Sequence, residues 1–175
     1  MMVVYRTKSG MIFDRQAQSA VWGFLFLLIF IAISAGLVDI FRLYAARNWA
    51  YSVAQEAALT GISKGRDWNS VTASGMSLDT AVAQSQASVV VNNAMSQRGI
   101  AGYTMDVRVL PDPAGGSIAG YPPRPVRLGS SLGDWSSDEP AVGVYLRVPV
   151  KWLLLDGLNI AAKSVSVFAA AGVAQ

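Results

Sequence analysis

The side chains able to do chemistry in this chain are scattered carboxylates. Asp67, Asp79, Asp106, Asp112, Asp134 and Asp156 stand apart from one another, and Asp138 and Glu139 form an adjacent pair. Paired carboxylates are the raw material of general acid–base catalysis, and with loop carbonyls they can hold calcium. This pair sits in a Ser- and Pro-rich stretch, where such acids are normally solvated, and no loop spacing matches a calcium motif. The chain has no histidine and no cysteine. That removes the commonest general base, the commonest transition-metal ligand, the thiolate nucleophile and any disulfide. There is no phosphate-binding loop either. The expectation is a protein that is not an enzyme and that carries no cofactor and no metal.

A non-catalytic chain must act through its elements, and one element dominates. Ser19 to Val38, SAVWGFLFLLIFIAISAGLV, is twenty residues without a charge. At about 1.5 Å per helical residue it covers the roughly 30 Å hydrocarbon core of a bilayer. Buried core helices and secretory signals carry shorter apolar stretches. Ala32, Ser34, Ala35 and Gly36 imitate a cleavage site, but the length favours an uncleaved span. Arg6, Lys8 and Arg15 precede the run, whereas Arg42 and Arg47 follow it. The positive-inside bias, three to two, puts the amino terminus in the cytoplasm and the 137 residues beyond Val38 outside it. A net charge of +3, not clustered, makes no case for nucleic acid.

Helical signals continue past the span. Asp39 to Leu59 has no proline and no glycine, and Leu43, Ala46, Ala50, Val53 and Ala57 recur at spacings of 3 and 4. This is a seam of mostly small residues. It suits packing onto the chain's own globular part, or packing against other subunits, equally well. Gly61 and Gly65 suit a helix end, so one helix is expected over 19–60. A second helix is expected from a Ser77 cap, with Asp79 in its first turn, to Gly99. Its stripe is Ala83, Ala87, Val90 and Ala94, although Val89–Val91 is β-branched and also compatible with a short strand.

The carboxyl part changes period. Tyr103–Leu110, Val142–Trp152 and Leu158–Ala169 alternate, which predicts a three-stranded antiparallel sheet with one buried face. Leu155-Asp156-Gly157 reads as the turn of the last hairpin, and Pro149 predicts an edge strand or a bulge. Between the first two strands, 111–140 holds six of the seven prolines. Loops this long are often functional. Tyr121-Pro122-Pro123-Arg124-Pro125 suits polyproline II, and Tyr121 and Trp135 are either contact residues or aromatics folded back onto the domain, the second being favoured. The fold class is thus α+β. It has an amino-terminal cytoplasmic or leader segment (1–18), a transmembrane and extended helix (19–60), and an extracytoplasmic domain (61–175) containing the 111–140 loop.

Arg15 to Thr60 resembles the amino-terminal part of TadE-like proteins, small pseudopilins of the tight-adherence branch of type IV pili. The family pattern is roughly Arg-Gly-Gln-Ser-Ala-Val-Glu-Phe, an apolar span, then Glu/Asp-x-x-Arg-x-x-x-x-Ala-Arg-Asn and an alanine-rich helix. Here Gln18-Ser19-Ala20-Val21 precedes the span, and Asp39, Arg42, Arg47 and Asn48 follow it in the family's order, before Gln55-Glu56-Ala57-Ala58. The match covers about a quarter of the chain. It implies a pilin-like plan and a structural role in a pilus or secretion apparatus. It also implies a single-pass location in a bacterial inner membrane, partners among other pilin-like subunits and pilus assembly proteins besides the lipid bilayer, and homo- or hetero-oligomers. Processing by a prepilin peptidase would fall between Ala17 and Gln18. The family has glycine where Ala17 stands, glutamate where Trp22 stands and an aromatic where Gly23 stands. Trp22 cannot supply the carboxylate that related pilins pair with a neighbour's terminal amine, but it suits a membrane interface. The resemblance therefore implies either an unprocessed, membrane-anchored accessory subunit or a minor filament component with divergent packing. The rival reading is a membrane-anchored binding module that uses the 111–140 loop.

Overall fold

The structure, a computed structural model, describes residues 10–70, 75–123, 126, 133–152 and 164–173, with side chains from Gln18 onward (Ser70 apart). Its first element is a single helix, α1 (Gly10–Gly65), 56 residues long. It extends beyond the expected 19–60 at both ends. The carboxyl end has a steric reason. Gly61 and Gly65 lie inside the last turns because a second helix passes there: a Cβ on Gly65 would come 2.6 Å from the Ala83 Cβ, and one on Gly61 would come 3.0 Å from the Ala83 carbonyl oxygen. These glycines permit the crossing, and Gly65 also marks the helix end.

That second helix, α2 (Thr80–Gln97), is capped by Asp79, whose carboxylate accepts from the Val82 amide at 3.0 Å. Asp79, not Ser77, is the cap. Ser77 belongs to the strand-like approach, where its carbonyl accepts from the Asp67 amide and the next residue, Leu78, bridges Arg66. Gly99, at φ +61°, ends α2: the Gly99 amide donates to the Ser96 carbonyl and the Ile100 amide to the Met95 carbonyl. Both bonds satisfy carbonyls that a helix end leaves open. Val89–Val91 is helical, and Val91 is fully buried.

Three strands, β1 (Thr104–Leu110), β4 (Ala141–Pro149) and β5 (Ser164–Gly172), form an antiparallel sheet in the order β1-β4-β5. Two short strands, β2 (Gly116–Ile118) and β3 (Trp135–Ser137), pair separately within the proline-rich stretch. The strand that carries Pro149 is therefore central, not an edge. It tolerates proline because β1 reaches only to Arg147, two residues short of it. The Leu155–Gly157 turn and the start of the third expected strand, 158–163, lie outside the described residues.

Alternation along β4 sorts its side chains onto two faces. Val142, Val144, Leu146 and Val148, with Val165, Val167 and Ala169 of β5, face the helices and close one core with Ala50, Ala57, Ala87 and Met95. Ala141 and Tyr145 turn the other way and join Leu110, Phe168, Tyr121 and Trp135 in a second cluster. Both faces of the sheet are covered, not one, because Tyr121 and Trp135 of the proline-rich stretch pack over the outer face.

Candidate functional site

The seam residues fall on one face of α1, and the domain occupies that face. Ala50 and Ala57 have no exposure, Val53 has 5%, and Leu43 and Ala46 are half-buried. Of the two readings of the seam, the described structure uses it for intramolecular packing against α2, β4 and β5. Asp39, four residues before Leu43, extends the same face and is fully buried, although Val38 and Ile40 beside it are exposed. An isolated buried carboxylate is costly, and Asp39 is not alone.

The other family-motif residues point elsewhere. Arg42, Arg47 and Asn48 are exposed. Arg47 and Asn48 line a cleft of about 350 Å³ with Tyr44 and Tyr51 of α1 and with Val126 and Ser166–Phe168 along β5. The motif is thus divided between the helix's inner and outer faces and does not converge on one site. Ala17 is helical in backbone, with its side chain outside the described part, and Gln18 is exposed. Trp22 is 53% exposed and stacks at 6.3 Å on Phe26, a turn further along.

A second stripe, missed in the sequence reading, runs along the outer face of α1. Leu37, Phe41, Tyr44, Tyr51 and Leu59 are between 48% and 70% exposed, with Asn48 and Gln55 filling the positions between them. The spacings are again mostly 4 and 3, the signal that identified the inner seam, displaced around the helix. The sequence alone does not say which of two such stripes the domain covers. Packing by small residues settles it: alanines allow α2 to approach, and the large side chains are left outside. Trp49, between the stripes, holds the guanidinium of Arg98 at 4.2 Å from its ring centroid and so ties the end of α2 to α1.

The loop aromatics are core residues. Trp135 is 4% exposed and packs 5.8 Å from Tyr121 and 5.9 Å from Phe168. The Tyr121 hydroxyl lies 2.8 Å from the Asp106 carbonyl oxygen and 2.9 Å from that of Gly143, so it donates across β1 and β4. Burial of Tyr121 and Pro122 leaves no exposed polyproline II ligand there, and Arg124 and Pro125 lie outside the described residues. Burial first, then the Asp106 carboxylate, hold the Tyr121 phenol well above the ordinary tyrosine range. The fold therefore favours the neutral phenol. Unfolded tyrosine titrates near ~10, so this contribution is complete below that pH and is lost as pH rises through and above it. Tyr121→Phe should cost about 1 kcal/mol at neutral pH. Denaturant unfolding of both chains at pH ~8 and pH ~11 should show wild type losing more stability than the variant as pH rises.

Asp138 is exposed and Glu139 half-buried, beside Pro113 and Ser137. Among the described residues no group of three carboxylate, histidine or cysteine side chains is arranged to hold a metal. What the geometry offers is a surface: an exposed apolar and aromatic face on a long helix, whose opposite face is built into a small domain. No family model matches the chain, and no curated protein or solved structure matches it either.

Proposed function

We propose that this chain is a structural, membrane-anchored pilin-like subunit that serves assembly of a tight-adherence type pilus or the related secretion apparatus. One observation carries the reading: a single helix has an apolar stretch, long enough to span a membrane and almost wholly exposed, and a carboxyl half packed into an α+β domain. The Asp39, Arg42, Arg47 and Asn48 block, at the junction of the halves, supplies the resemblance that names the apparatus. In this reading the amino terminus is cytoplasmic, the span lies in a bacterial inner membrane, and the domain stands outside the cytoplasm. The rival, a binding module using the proline-rich loop, loses its two aromatic contact residues to the core.

The partners are other pilin-like subunits, and the surface for them is the outer stripe, because the inner seam is already occupied. Tyr51→Glu combined with Leu59→Glu changes exposed positions only. Cells carrying it should hold normal amounts of the chain in their membranes and show few or no surface filaments by electron microscopy. Normal filament numbers would remove the outer stripe from the account.

A further inference from the structure

We infer that the membrane-facing end of the domain is itself a bilayer-contact surface, where Arg42 and Lys151 meet anionic phospholipid headgroups and Arg98 adds attraction from further above. The inference rests on reading Ser19–Val38 as the span, and it adds a second contact beyond it.

The argument is one of levels along α1. At the far end of the domain, Gly65 abuts Ala83, and toward the span Trp49 holds Arg98. So α2 runs back toward the membrane, and its carboxyl end lies about 16 Å above Val38, at 1.5 Å per residue. The sheet reaches lower. Ser166, Val167 and Phe168 line a cleft with Tyr44 to Tyr51, which puts that part of β5 beside those turns of α1. Val167 to Ser164 is three residues, about 10 Å of strand and about seven residues of helix. Val142, the partner of Ala171, would lie 3.3 Å from a Cβ on Gly61, so β5 descends from that level toward Ser164, and Ser164 and its partner Pro149 sit near the level of Phe41. Lys151 follows Pro149 and lines a cleft with it and with Arg98 and Gly99 at the end of α2, at this same end of the domain.

A separate observation agrees. Asp39 is fully buried while Val38 and Ile40 are exposed, so one side of α1 is covered down to the first residue after the span.

The chemistry of this end suits headgroups. A cleft of about 350 Å³ is lined by Arg98, Gly99, Ile100, Ala101, Pro149 and Lys151, two cations and no acid. Lys151 and Arg42 are exposed. The polar layer on each side of a bilayer is about 5–7 Å thick. Lys151 and Arg42 fall in or beside it, and the long Arg98 side chain falls within about one Debye length of it. Arg98 also offsets the negative end of the α2 dipole, which would otherwise oppose phosphate. Finally, the chain leaves the described structure at Trp152 and returns at Ser164, both at this end, and the sequence between opens with Leu153-Leu154-Leu155. Anionic lipid is thus favoured over a soluble acidic partner.

The chain lacks cysteine, so single labels are clean. Full-length protein with an environment-sensitive fluorophore on Ala101→Cys is placed in nanodiscs of phosphatidylcholine alone or of an equal mixture with phosphatidylglycerol, each without quencher, with a headgroup-level quencher lipid that reports on Ala101 and Ser85, or with a mid-chain quencher lipid that reports on the bilayer centre at Ile29. Labels on Ile29→Cys, in the span, and Ser85→Cys, on the exposed face of α2, are the references. In the mixed bilayer the Ala101 label should shift to shorter wavelength and lose intensity to the headgroup-level quencher. Both effects should be lost in phosphatidylcholine alone and in the exposed-charge variant Arg42→Glu with Lys151→Glu. The Ser85 label should stay unquenched. A quenched Ile29 label with an unquenched Ala101 label would overturn this inference alone. Equal quenching of Ala101 in both bilayers, or in the charge variant, would overturn the role of anionic lipid. An unquenched Ile29 label would bring down the span reading as well.

Discussion

Arginine in place of Ala50 should unfold the globular part of the chain, seen as loss of cooperative unfolding and of protease resistance in detergent-solubilised protein. Ala50 has no exposure and faces α2 and the sheet. A guanidinium there is both too large for the site and unpaired in an apolar surround. The cost is about 5 kcal/mol or more, comparable with the whole stability of a small domain. Arginine at the neighbouring Tyr51, 48% exposed on the opposite stripe, should cost less than about 1 kcal/mol. The pair of variants separates the two faces of α1. If Ala50→Arg remained folded, the seam would not be the intramolecular interface. The spacing of small residues left that question open, because close approach by α2 and close approach by a second subunit ask for the same alanines.

Trp135→Ala should cost about 3–5 kcal/mol, the range for deleting a buried aromatic. Its ring fills the space between Tyr121 and Phe168 and lies against Gly143, where a Cβ would come 3.0 Å from two ring atoms. The same contact makes Gly143→Ala destabilising from the other side. Urea unfolding monitored by circular dichroism checks both. If Trp135 were a ligand-contact residue on a mobile loop, removing it would leave stability within about 0.5 kcal/mol of wild type.

The elements declared by period were legible in the sequence: the unbroken apolar run, the 3-and-4 seam and the alternating Val142–Val148 face all fold as their spacing says. What was not legible depended on partners distant in sequence. Pro149 suggested an edge, yet β4 is central, because β1 stops short of the proline. Gly61 read as a helix end, yet it serves the crossing with Ala83. Ser77 and Asp79 are both good caps, and the bridge between Arg66 and Leu78 decides between them by drawing Ser77 into an extended approach. Trp135 and Tyr121 fold back onto the domain as favoured for loop aromatics, but the residues that cover them, Phe168 and Tyr145, are far along the chain and were not legible. The outer stripe of α1 obeyed the same period as the seam and was hidden only because the seam answered the pattern first.

These placements give the junction at Asp39 a physical meaning. From Ser19 to Val38, α1 exposes an apolar surface, as a membrane-spanning helix would. After it, one face belongs to the domain and the other is free. In the proposed reading the first part is the anchor, and the free face of the second is the surface for assembly.

The most direct test removes the chain from the cell that makes it and counts surface filaments by electron microscopy, with the wild-type chain restored as control. The account predicts that filaments disappear or fall sharply and return with the wild-type chain. Undiminished filaments in its absence would contradict it.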